Sequence, residues 1–444
     1  MKISRIVFPA FMLLLCLLPS CNNNSSLSNR KIALRTLNSE YCKDTIVVSE
    51  KLPLMDTKTT CQHSIKIPHK KSGIETIYTD ICLKEEYRII PLETTEESMI
   101  GEVTDLFTDD SLIFIYDGWH EYVLVFDYAG KFRNRIGQKG HARNEYESIT
   151  HAALDQLHKR VCIVDRDSQK ILFYDYKGNF LDCEPRYFWF SHIGFFGDKR
   201  ITLTLPYPHS DYCALNNFKL TVTDNYGRPI CGVLKDPGYP KFSAGVDKFS
   251  AMLERPLHSA PDGVYYIDIL SPDTIWRICD EECVPFVAID FGEPFTTPQT
   301  YREMTTDGLI KRRNQVPHVN DDFVFSKHFG YVSFGDCAII DLETDNFLAG
   351  RIGRRGRVPW KNFYVLAFES NPNEEMFLFD WESDQFAKVW NADEAIRRVK
   401  LIKANDGGEE LYQTWPQTDR EILERLSPED NPLVIVGSFK KFNK

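Results

Sequence analysis

Short runs of apolar and aromatic residues, each followed by a polar turn, divide most of the chain after residue 80. The clearest stretch is 112–146, where the apolar runs 112–116 and 122–126 are separated by the polar segment 117–121. The runs are rich in β-branched and aromatic residues, and the gaps between them are too short to hold a helix. This pattern predicts an antiparallel meander of short strands.

The same pattern recurs along the chain. Asp117 closes an apolar run, and Asp165 closes the next equivalent run 48 residues later. The turn Phe-Asp-Tyr-Ala-Gly-Lys-Phe at 126–132 returns as Tyr-Asp-Tyr-Lys-Gly-Asn-Phe at 174–180 and, more loosely, at 223–228. Weaker copies pair 264–268 with 274–278, 332–341 with 347–352, and 376–380 with 386–390. Such a period is typical of propeller blades, which bury their faces only against neighbours in a ring. We therefore predict an all-β fold, a six-bladed β-propeller of four-stranded antiparallel blades.

The residues of this repeat also carry a family resemblance. Segments 116–117, 125–127, 130–132, 136–137 and 140–146 resemble an NHL-type repeat. Segments 90–94 and 430–436 resemble the six-bladed propeller lipoproteins of Bacteroides-type bacteria, and this likeness extends over about residues 81–440. The resemblance implies fold and location and supplies no catalytic residues. Because propellers close their ring with strands from both termini, we expect the strand at 89–92 to join the blade of the strand at 434–436.

The first 20 residues have the features of an export signal. Lys2 and Arg5 precede the apolar run 6–18, which is too short to span a bilayer. The following Leu-Pro-Ser-Cys resembles the lipobox of bacterial lipoproteins, which implies cleavage before Cys21 and its lipidation; the alternative is an ordinary signal peptide with a chance cysteine. The lipid would hold the protein on a membrane of the cell envelope. The residues after Cys21 lack an acidic run, which favours the periplasmic side over the cell surface.

The chain is thereby divided into a lipoprotein signal peptide at 1–20, a polar tether and irregular N-terminal segment at 21–80, and the propeller at 81–444. Ordered structure is expected to begin near Ile81. Apolar residues at helical spacing predict one short helix late in the chain, at 419–426.

Composition and the absence of known motifs argue against several classes of function. A formal net charge of −11 argues against a nucleic-acid partner. The twelve cysteines include no double Cys-x-x-Cys pattern, which argues against a structural zinc site. Motifs of zinc proteases, serine hydrolases and phosphate-binding loops are absent from the sequence. No catalytic residue, metal ligand or cofactor is therefore assigned.

Polar connections on one face of the disc provide candidate binding residues. In a four-stranded meander, the loop between the second and third strands shares a face with the loop leading to the next blade. This places one set of residues together: Trp119, His120, Arg143, Glu145, Tyr146, Arg166, Asp167, Arg354, Arg355 and Arg357. An aromatic beside a histidine is common at sugar and peptide sites, and arginines bind carboxylate or phosphate.

Structural alternatives exist for each of these groups. Trp119 would pack on a neighbouring blade with His120 in solvent. Arg143 and Glu145 would pin one blade to the next. The arginines of 351–357 would be solvated.

Two kinds of function remain open. The first is a non-catalytic, membrane-anchored protein that binds a glycan, a peptide or an envelope protein through its loop-rich face; a structural scaffold differs from it only in partner size. The second is a metal-assisted lyase or hydrolase that uses the central channel, where His151 is expected to lie on an inner strand. The lack of clustered histidine ligands favours the first, so the protein is expected not to be an enzyme.

Overall fold

The computed structural model describes residues 31–35, 45–49, 51–67, 76–204, 218–235, 255–268, 271–297, 300, 306–320, 322–353, 361–369 and 375–442. Six antiparallel four-stranded sheets form the blades of a β-propeller. The sheets of the first three blades contain only strands that are consecutive in the sequence. The predicted fold class and the count of six blades are confirmed.

The first elements lie outside the regular blades. They are β1 (Lys31–Arg35), β2 (Thr45–Ser49), β3 (Asp56–Thr57), β4 (His63–Lys66), β5 (Thr76–Tyr78), α1 (Thr79–Cys82) and β6 (Arg88–Pro91). Strands β1 and β2 pair only with each other within the described part of the chain.

Blades 1 to 3 follow, each with its innermost strand first. Blade 1 contains β7 (Val103–Asp109), β8 (Leu112–Asp117), β9 (Tyr122–Asp127) and β10 (Phe132–Ile136). Blade 2 contains β11 (Ile149–Asp155), β12 (Arg160–Asp165), β13 (Lys170–Asp175) and β14 (Phe180–Pro185). Blade 3 contains β15 (Phe190–Phe196), β16 (Lys199–Thr204), β17 (Phe218–Thr223) and β18 (Pro229–Lys235).

Blades 4 to 6 contain the remaining strands and five helices. Blade 4 has β19 (Leu257–Ala260), β20 (Gly263–Asp268), β21 (Ser271–Cys279) and β22 (Glu282–Asp290), and is followed by α2 (Thr306–Arg313). Blade 5 has β23 (Phe323–Phe325), β24 (Phe329–Ser333), β25 (Cys337–Asp341) and β26 (Phe347–Gly353), and is followed by α3 (Phe363–Glu369). Blade 6 begins with β27 (Met376–Asp380) and β28 (Gln385–Trp390), continues with α4 (Ala392–Lys403), α5 (Gly408–Gln413) and α6 (Gln417–Arg425), and then has β29 (Leu433–Ser438).

The ring is closed in blade 6 by strands from both ends of the chain. Strand β29 pairs with β28 on one side and with β6 on the other, with Val434 opposite Ile90 and Ile435 opposite Ile89. This confirms the predicted closure. Asn431 strengthens the junction because its side-chain amide donates to the carbonyls of Glu93 and Ser98 at 2.8 and 2.7 Å.

Ordered structure begins earlier than the sequence predicts. Residues 51–67 and 76–83, here called the belt, run along the outer edges of blades 3, 4 and 5. Strands β3 and β4 lie parallel to β22, and β5 lies parallel to β26. The expectation that order starts near Ile81 is therefore wrong. The belt strands are two to four residues long, too short to show a period in the sequence, and they cover edges that would otherwise be unpaired.

The hydrophobic core lies between neighbouring blades. Strand β8 shows this best, since Phe114 packs toward blade 2 while Ile113 and Ile115 pack toward blade 6. All three side chains are fully buried. A strand covered on both sides reads as a continuous apolar run, which is the signal that the repeat analysis detected.

The repeated Asp-x-x-Gly turns have a packing role. Gly130 has φ +81°, and a Cβ built there would lie 2.0 Å from the carbonyl oxygen of Pro91 at the end of β6. Gly178, with φ +84°, lies against the carbonyl of Arg135 in the same way. The outer hairpin of one blade thus touches the outer strand of the blade before it, and only glycine fits that contact.

The connections divide the disc into two faces. Connections between second and third strands and those between blades lie on the loop-rich face, which also bears helices α2 to α6. Hairpins between first and second strands, such as 110–111 and 156–159, lie on the hairpin face. Helix α6 confirms the predicted late helix, whereas the sequence analysis missed α2 to α5.

Candidate functional site

A buried carboxylate organises the tip of blade 1 on the loop-rich face. Asp117 is fully buried and accepts hydrogen bonds from the backbone N–H groups of Gly101 and Glu102, at 2.8 and 3.1 Å, where the chain enters the blade. It also accepts from the N–H groups of Trp119 and His120 and from His120 Nδ1 at 2.7 Å. One side chain therefore joins two loops, which fixes the position of Trp119.

Blade 2 repeats this arrangement at the position predicted by the repeat. Asp165 accepts from the N–H groups of Glu147 and Ser148 in the incoming loop, and from those of Asp167 and Ser168 in the tip. The recurrence of aspartate every 48 residues in these two blades is explained by this pair of loops, each of which has backbone donors that need a buried acceptor.

A polar network connects the two tips. Glu121 accepts from Lys139 Nζ at 2.7 Å and from Ser148 Oγ at 2.9 Å. Arg166 Nη2 donates to the same Ser148 hydroxyl at 2.7 Å, and Arg166 Nε donates to Asp167 at 3.1 Å. The structure thus brings the predicted tip residues of blades 1 and 2 into one continuous surface, through Glu121 and Ser148.

Trp119 and His120 lie side by side on this surface but differ in exposure. The Trp119 side chain is 75% exposed, with its ring edge over Gly101. Met99, two residues before that glycine, is 52% exposed. The alternative that Trp119 packs on a neighbouring blade is therefore wrong. His120 is partly in solvent, with a side chain that is 37% exposed, and its Nδ1 is hydrogen-bonded to Asp117.

The residues at 143–146 have separate places. Arg143 Nη2 lies 3.8 Å from Asp182 of blade 2, and not against Glu145. Glu145 accepts from the Ala142 N–H at 3.0 Å and from Gln138 Nε2 at 3.3 Å, which closes the loop on itself. Tyr146 is fully buried between blades 1 and 2, and its hydroxyl donates to the carbonyl of Glu121 at 3.1 Å. Burial raises the pKa of this phenol. Tyr146 therefore supports the surface from below.

Four predicted residues lie outside the described part of the chain. These are Cys21, Arg354, Arg355 and Arg357.

A cavity of about 410 Å³ lies on the propeller axis. Residues from all six innermost strands line it, and exposed residues of the first hairpins, including Asp110, Gln156 and Glu382, surround its opening on the hairpin face. We call it the channel cavity. His151, expected to face the channel, is one of its lining residues.

Arg255 lies at the end of the channel cavity that is nearer the loop-rich face. Its side chain is 5% exposed and faces three carboxylates: Asp105 at 3.4 Å, Glu375 at 3.7 Å and Asp322 at 4.0 Å. Its guanidinium also lies 4.2 Å from the ring centre of Phe377 and donates to the Met376 carbonyl at 3.2 Å. Burial raises the pKa of Asp105, and the attraction of Arg255 opposes that shift. Four blades thus meet at one guanidinium.

Histidines occupy the cavity wall. His151 is 8% exposed, its Nε2 lies 3.2 Å from the Ile193 carbonyl, and its ring lies 4.8 Å from that of His192. Burial, and then the proximity of His192, lower the pKa of His151 well below its usual value. The imidazole is therefore neutral at physiological pH. Because a carbonyl only accepts, Nε2 carries the hydrogen and Nδ1 is an acceptor.

Among the residues that the structure describes, no group of three or more His, Cys, Asp or Glu side chains is placed to hold a metal ion. None of the helices described is long and apolar enough to cross a membrane.

The sequence did not reveal the cluster that Arg255 forms with Asp105, Asp322 and Glu375. Arg255, Asp322 and Glu375 each stand just before the first strand of a blade, but 255 and 375 follow segments without recognisable period. Their convergence depends on ring closure and leaves no spacing signal in the sequence. Asp105 alone lies in a blade that the repeat defined well.

The fold is shared with a solved structure from Bacteroides. A protein of Bacteroides fragilis named as exported is 16% identical, and the match covers 85% of this chain and 100% of that chain with a TM-score of 0.61. A member of the DUF4221 family from Bacteroides vulgatus is 8% identical, with 82% and 98% of the two chains covered and a TM-score of 0.44. The first likeness shows a shared fold. No curated protein matches the chain.

A family profile covers most of the propeller. The profile described as a domain of unknown function, DUF4934, matches residues 75–438, from β5 in the belt to the end of β29. The chain therefore belongs to the DUF4934 family.

Proposed function

We propose that this protein is an exported, lipid-anchored protein of the bacterial cell envelope that binds a ligand or protein partner through its loop-rich face. Cys21 would carry the lipid, and the periplasmic side is favoured. A glycan, a peptide and an envelope protein are the partner classes. The name of the similar B. fragilis protein as exported supports the location.

The observation that carries the binding proposal is the exposure of Trp119 on a fixed support. A tryptophan side chain that is 75% exposed buries a large apolar area when a partner binds against it. Because Asp117 fixes both loops beneath it, little conformational entropy is lost when a partner is bound. The Lys139–Glu121 and Arg166–Asp167 pairs beside it supply charges of both signs for orientation.

Site-specific photocrosslinking tests this proposal. A benzophenone amino acid replaces Trp119 in full-length protein in the envelope of the producing bacterium. The matched control places the same amino acid at Tyr226, an aromatic that is 66% exposed on an outer hairpin of blade 3, away from the loop-rich face. After irradiation, mass spectrometry of the purified protein detects glycan, peptide and protein adducts alike.

We expect a discrete adduct at position 119 and none at position 226. An adduct at 119 that disappears in an Arg166→Ala background would further place the partner on the tip network. Equal adducts at both positions, or none at 119, would overturn the proposal.

A further inference from the structure

The channel cavity and the loop-rich face are independent features, since the cavity opens on the opposite face. From its lining we propose a second binding site: the channel cavity binds a small organic cation, an amine-bearing molecule that enters from the hairpin face. The site is assigned to the amine class by charge, by aromatic surroundings and by one buried acceptor.

Charge gives the first argument. Five carboxylates line the cavity, namely Asp105, Asp109, Asp110, Asp380 and Glu382. Lys159 is shared between Asp109 and Asp110, at 2.8 and 3.0 Å, and Lys327 pairs with Glu382 at 2.7 Å. Arg255 is itself shared among three carboxylates. Asp380 accepts the Ser383 N–H at 2.9 Å and forms no ion pair within the described residues. Negative charge is therefore in excess along the wall and at the opening of the cavity, which attracts cations.

Aromatic rings around the cavity already carry protein cations. The Arg88 guanidinium lies 5.3 Å from the ring centre of Tyr128 and 5.1 Å from that of Phe379, and Lys327 Nζ lies 5.7 Å from the Trp381 ring. All three rings line the cavity. Their faces are attractive to ammonium groups through the ring quadrupole. The aliphatic part of an amine would at the same time contact apolar lining residues such as Phe107 and Phe325.

His151 provides the third, independent argument. It is more than nine-tenths buried, and it is neutral with its hydrogen on Nε2. Its Nδ1 has no hydrogen-bond partner within the described residues. A lone pair in such a place requires a donor. An ammonium group is a donor without acceptor capacity, so it matches both Nδ1 and the carboxylates, whereas an anion matches neither.

Calorimetric titration with three five-carbon compounds tests the assignment. Cadaverine carries two ammonium groups, 1,5-pentanediol has the same chain with two neutral hydroxyls, and glutarate has two carboxylates. Each is titrated into full-length protein purified in detergent. A cavity of this volume is large enough for any of them, and the three compounds share a five-carbon chain but differ in the charge and hydrogen-bonding capacity of their end groups. We expect saturable binding of cadaverine and none of the other two.

Two variants locate the binding. Asp380→Asn keeps the oxygen that accepts the Ser383 N–H but removes the charge, and should weaken cadaverine binding about tenfold, as expected for one charge-assisted hydrogen bond. His151→Gln keeps a donor for the Ile193 carbonyl and removes the Nδ1 acceptor. This variant should also weaken cadaverine binding. Glu97→Gln, at an exposed carboxylate that is not among the residues lining the cavity, is the control and should leave the affinity unchanged.

Three results would overturn the assignment. These are no binding of cadaverine by folded wild-type protein, equal binding of pentanediol, and unchanged affinity in Asp380→Asn. Circular dichroism confirms that each variant is folded. Because the crosslinking experiment at Trp119 concerns the other face, either proposal can fail while the other stands.

Discussion

At the scale of single residues, Asp117 and Asp165 are the positions on which the most local structure depends. Each carboxylate accepts four backbone N–H groups from two different loops. A backbone donor buried without an acceptor is costly. These two residues therefore hold together the surface loops at the tips of blades 1 and 2.

Replacing Asp117 with alanine should lower the free energy of unfolding by about 3 kcal/mol or more, because several buried donors lose their acceptor at about 1 to 3 kcal/mol each. Asp117→Asn keeps one oxygen and should lie between alanine and wild type. Urea unfolding followed by tryptophan fluorescence gives the values.

The comparison for this prediction is Asp127→Ala. Asp127 accepts two N–H groups in a more exposed hairpin, so its loss should cost about 1 kcal/mol. Equal costs at 117 and 127 would contradict the role assigned to the buried carboxylate.

The buried imidazole of His151 predicts a pH dependence. Its pKa is lowered in the folded state, so the folded protein does not take up a proton that the unfolded chain takes up below about pH 6.5. The stability contributed by neutral His151 is present above that pH and is lost as the pH falls. Between pH 7.5 and 5.5 the loss should be roughly 1 kcal/mol.

His151→Gln should remove this part of the pH dependence of the unfolding free energy. His141→Gln, at a histidine whose side chain is 83% exposed, provides the matched control and should leave the slope unchanged. Identical slopes for wild type and His151→Gln would show that the imidazole takes up its proton in the folded protein as it does in the unfolded chain.

At the scale of elements, the belt is the feature that most changes the picture of the chain. Strand β4 pairs with the outer strand of blade 4, and its Ile65 is 2% exposed in the core shared by blades 4 and 5. The residues before 81 are therefore part of the folded body at these positions.

Ile65→Ala should cost about 2 to 4 kcal/mol, the usual range for truncating a buried isoleucine. Lys66→Ala, next in the same strand but facing solvent, should change stability by less than about 0.5 kcal/mol. If Ile65→Ala proved as mild as Lys66→Ala in chemical denaturation, the belt would contribute little to the stability of the propeller.

Some strands and helices could be predicted from the sequence and others could not. Blades 1 and 2, the six-fold count and the closure by β6 and β29 were all predictable, because doubly buried strands and Asp-Gly turns repeat at a fixed distance. The belt and helices α2 to α5 were missed. Belt strands of two to four residues have no period, and the large apolar residues of α2, Leu309 and Ile310, are adjacent and show no helical spacing.

The candidate site was predictable only in part. Trp119, His120, Arg166 and Asp167 could be placed on one face from topology, since they follow strands of known order. Arg255 and its carboxylates could not, because residues from four blades meet there only after the ring closes. Tyr146 fits the repeat because it packs between blades. A sequence pattern alone does not distinguish such a packing residue from a residue that binds a ligand.

At the scale of the whole molecule, the disc separates two surfaces of different character. The loop-rich face presents an exposed aromatic and fixed polar loops, and the hairpin face opens into an acidic cavity. The proposed lipid on Cys21 would add a third point of contact, with the membrane.

Radiolabelled palmitate tests the lipid. Wild-type protein should incorporate the label, and Cys21→Ser should not, because the acyl chains of a lipoprotein depend on this residue. Cys16→Ser, within the predicted signal peptide, should keep the label. Label in Cys21→Ser, or none in wild type, would contradict lipidation at this position.

The closure of the ring by both termini has a consequence for biosynthesis. Thr94 and Asn431 form a hydrogen bond across 337 residues of sequence, and the belt pairs with strands of blades 4 and 5 that are synthesised much later. Strands β3 and β4 therefore wait for β22, β5 waits for β26, and β6 waits for β29, the last strand of the chain. Such non-local pairing is slow, because loop-closure entropy is lost before the contacts form. Vectorial folding, blade by blade, is thus possible for blades 1 to 5, and only blade 6 is completed after the last strand is delivered.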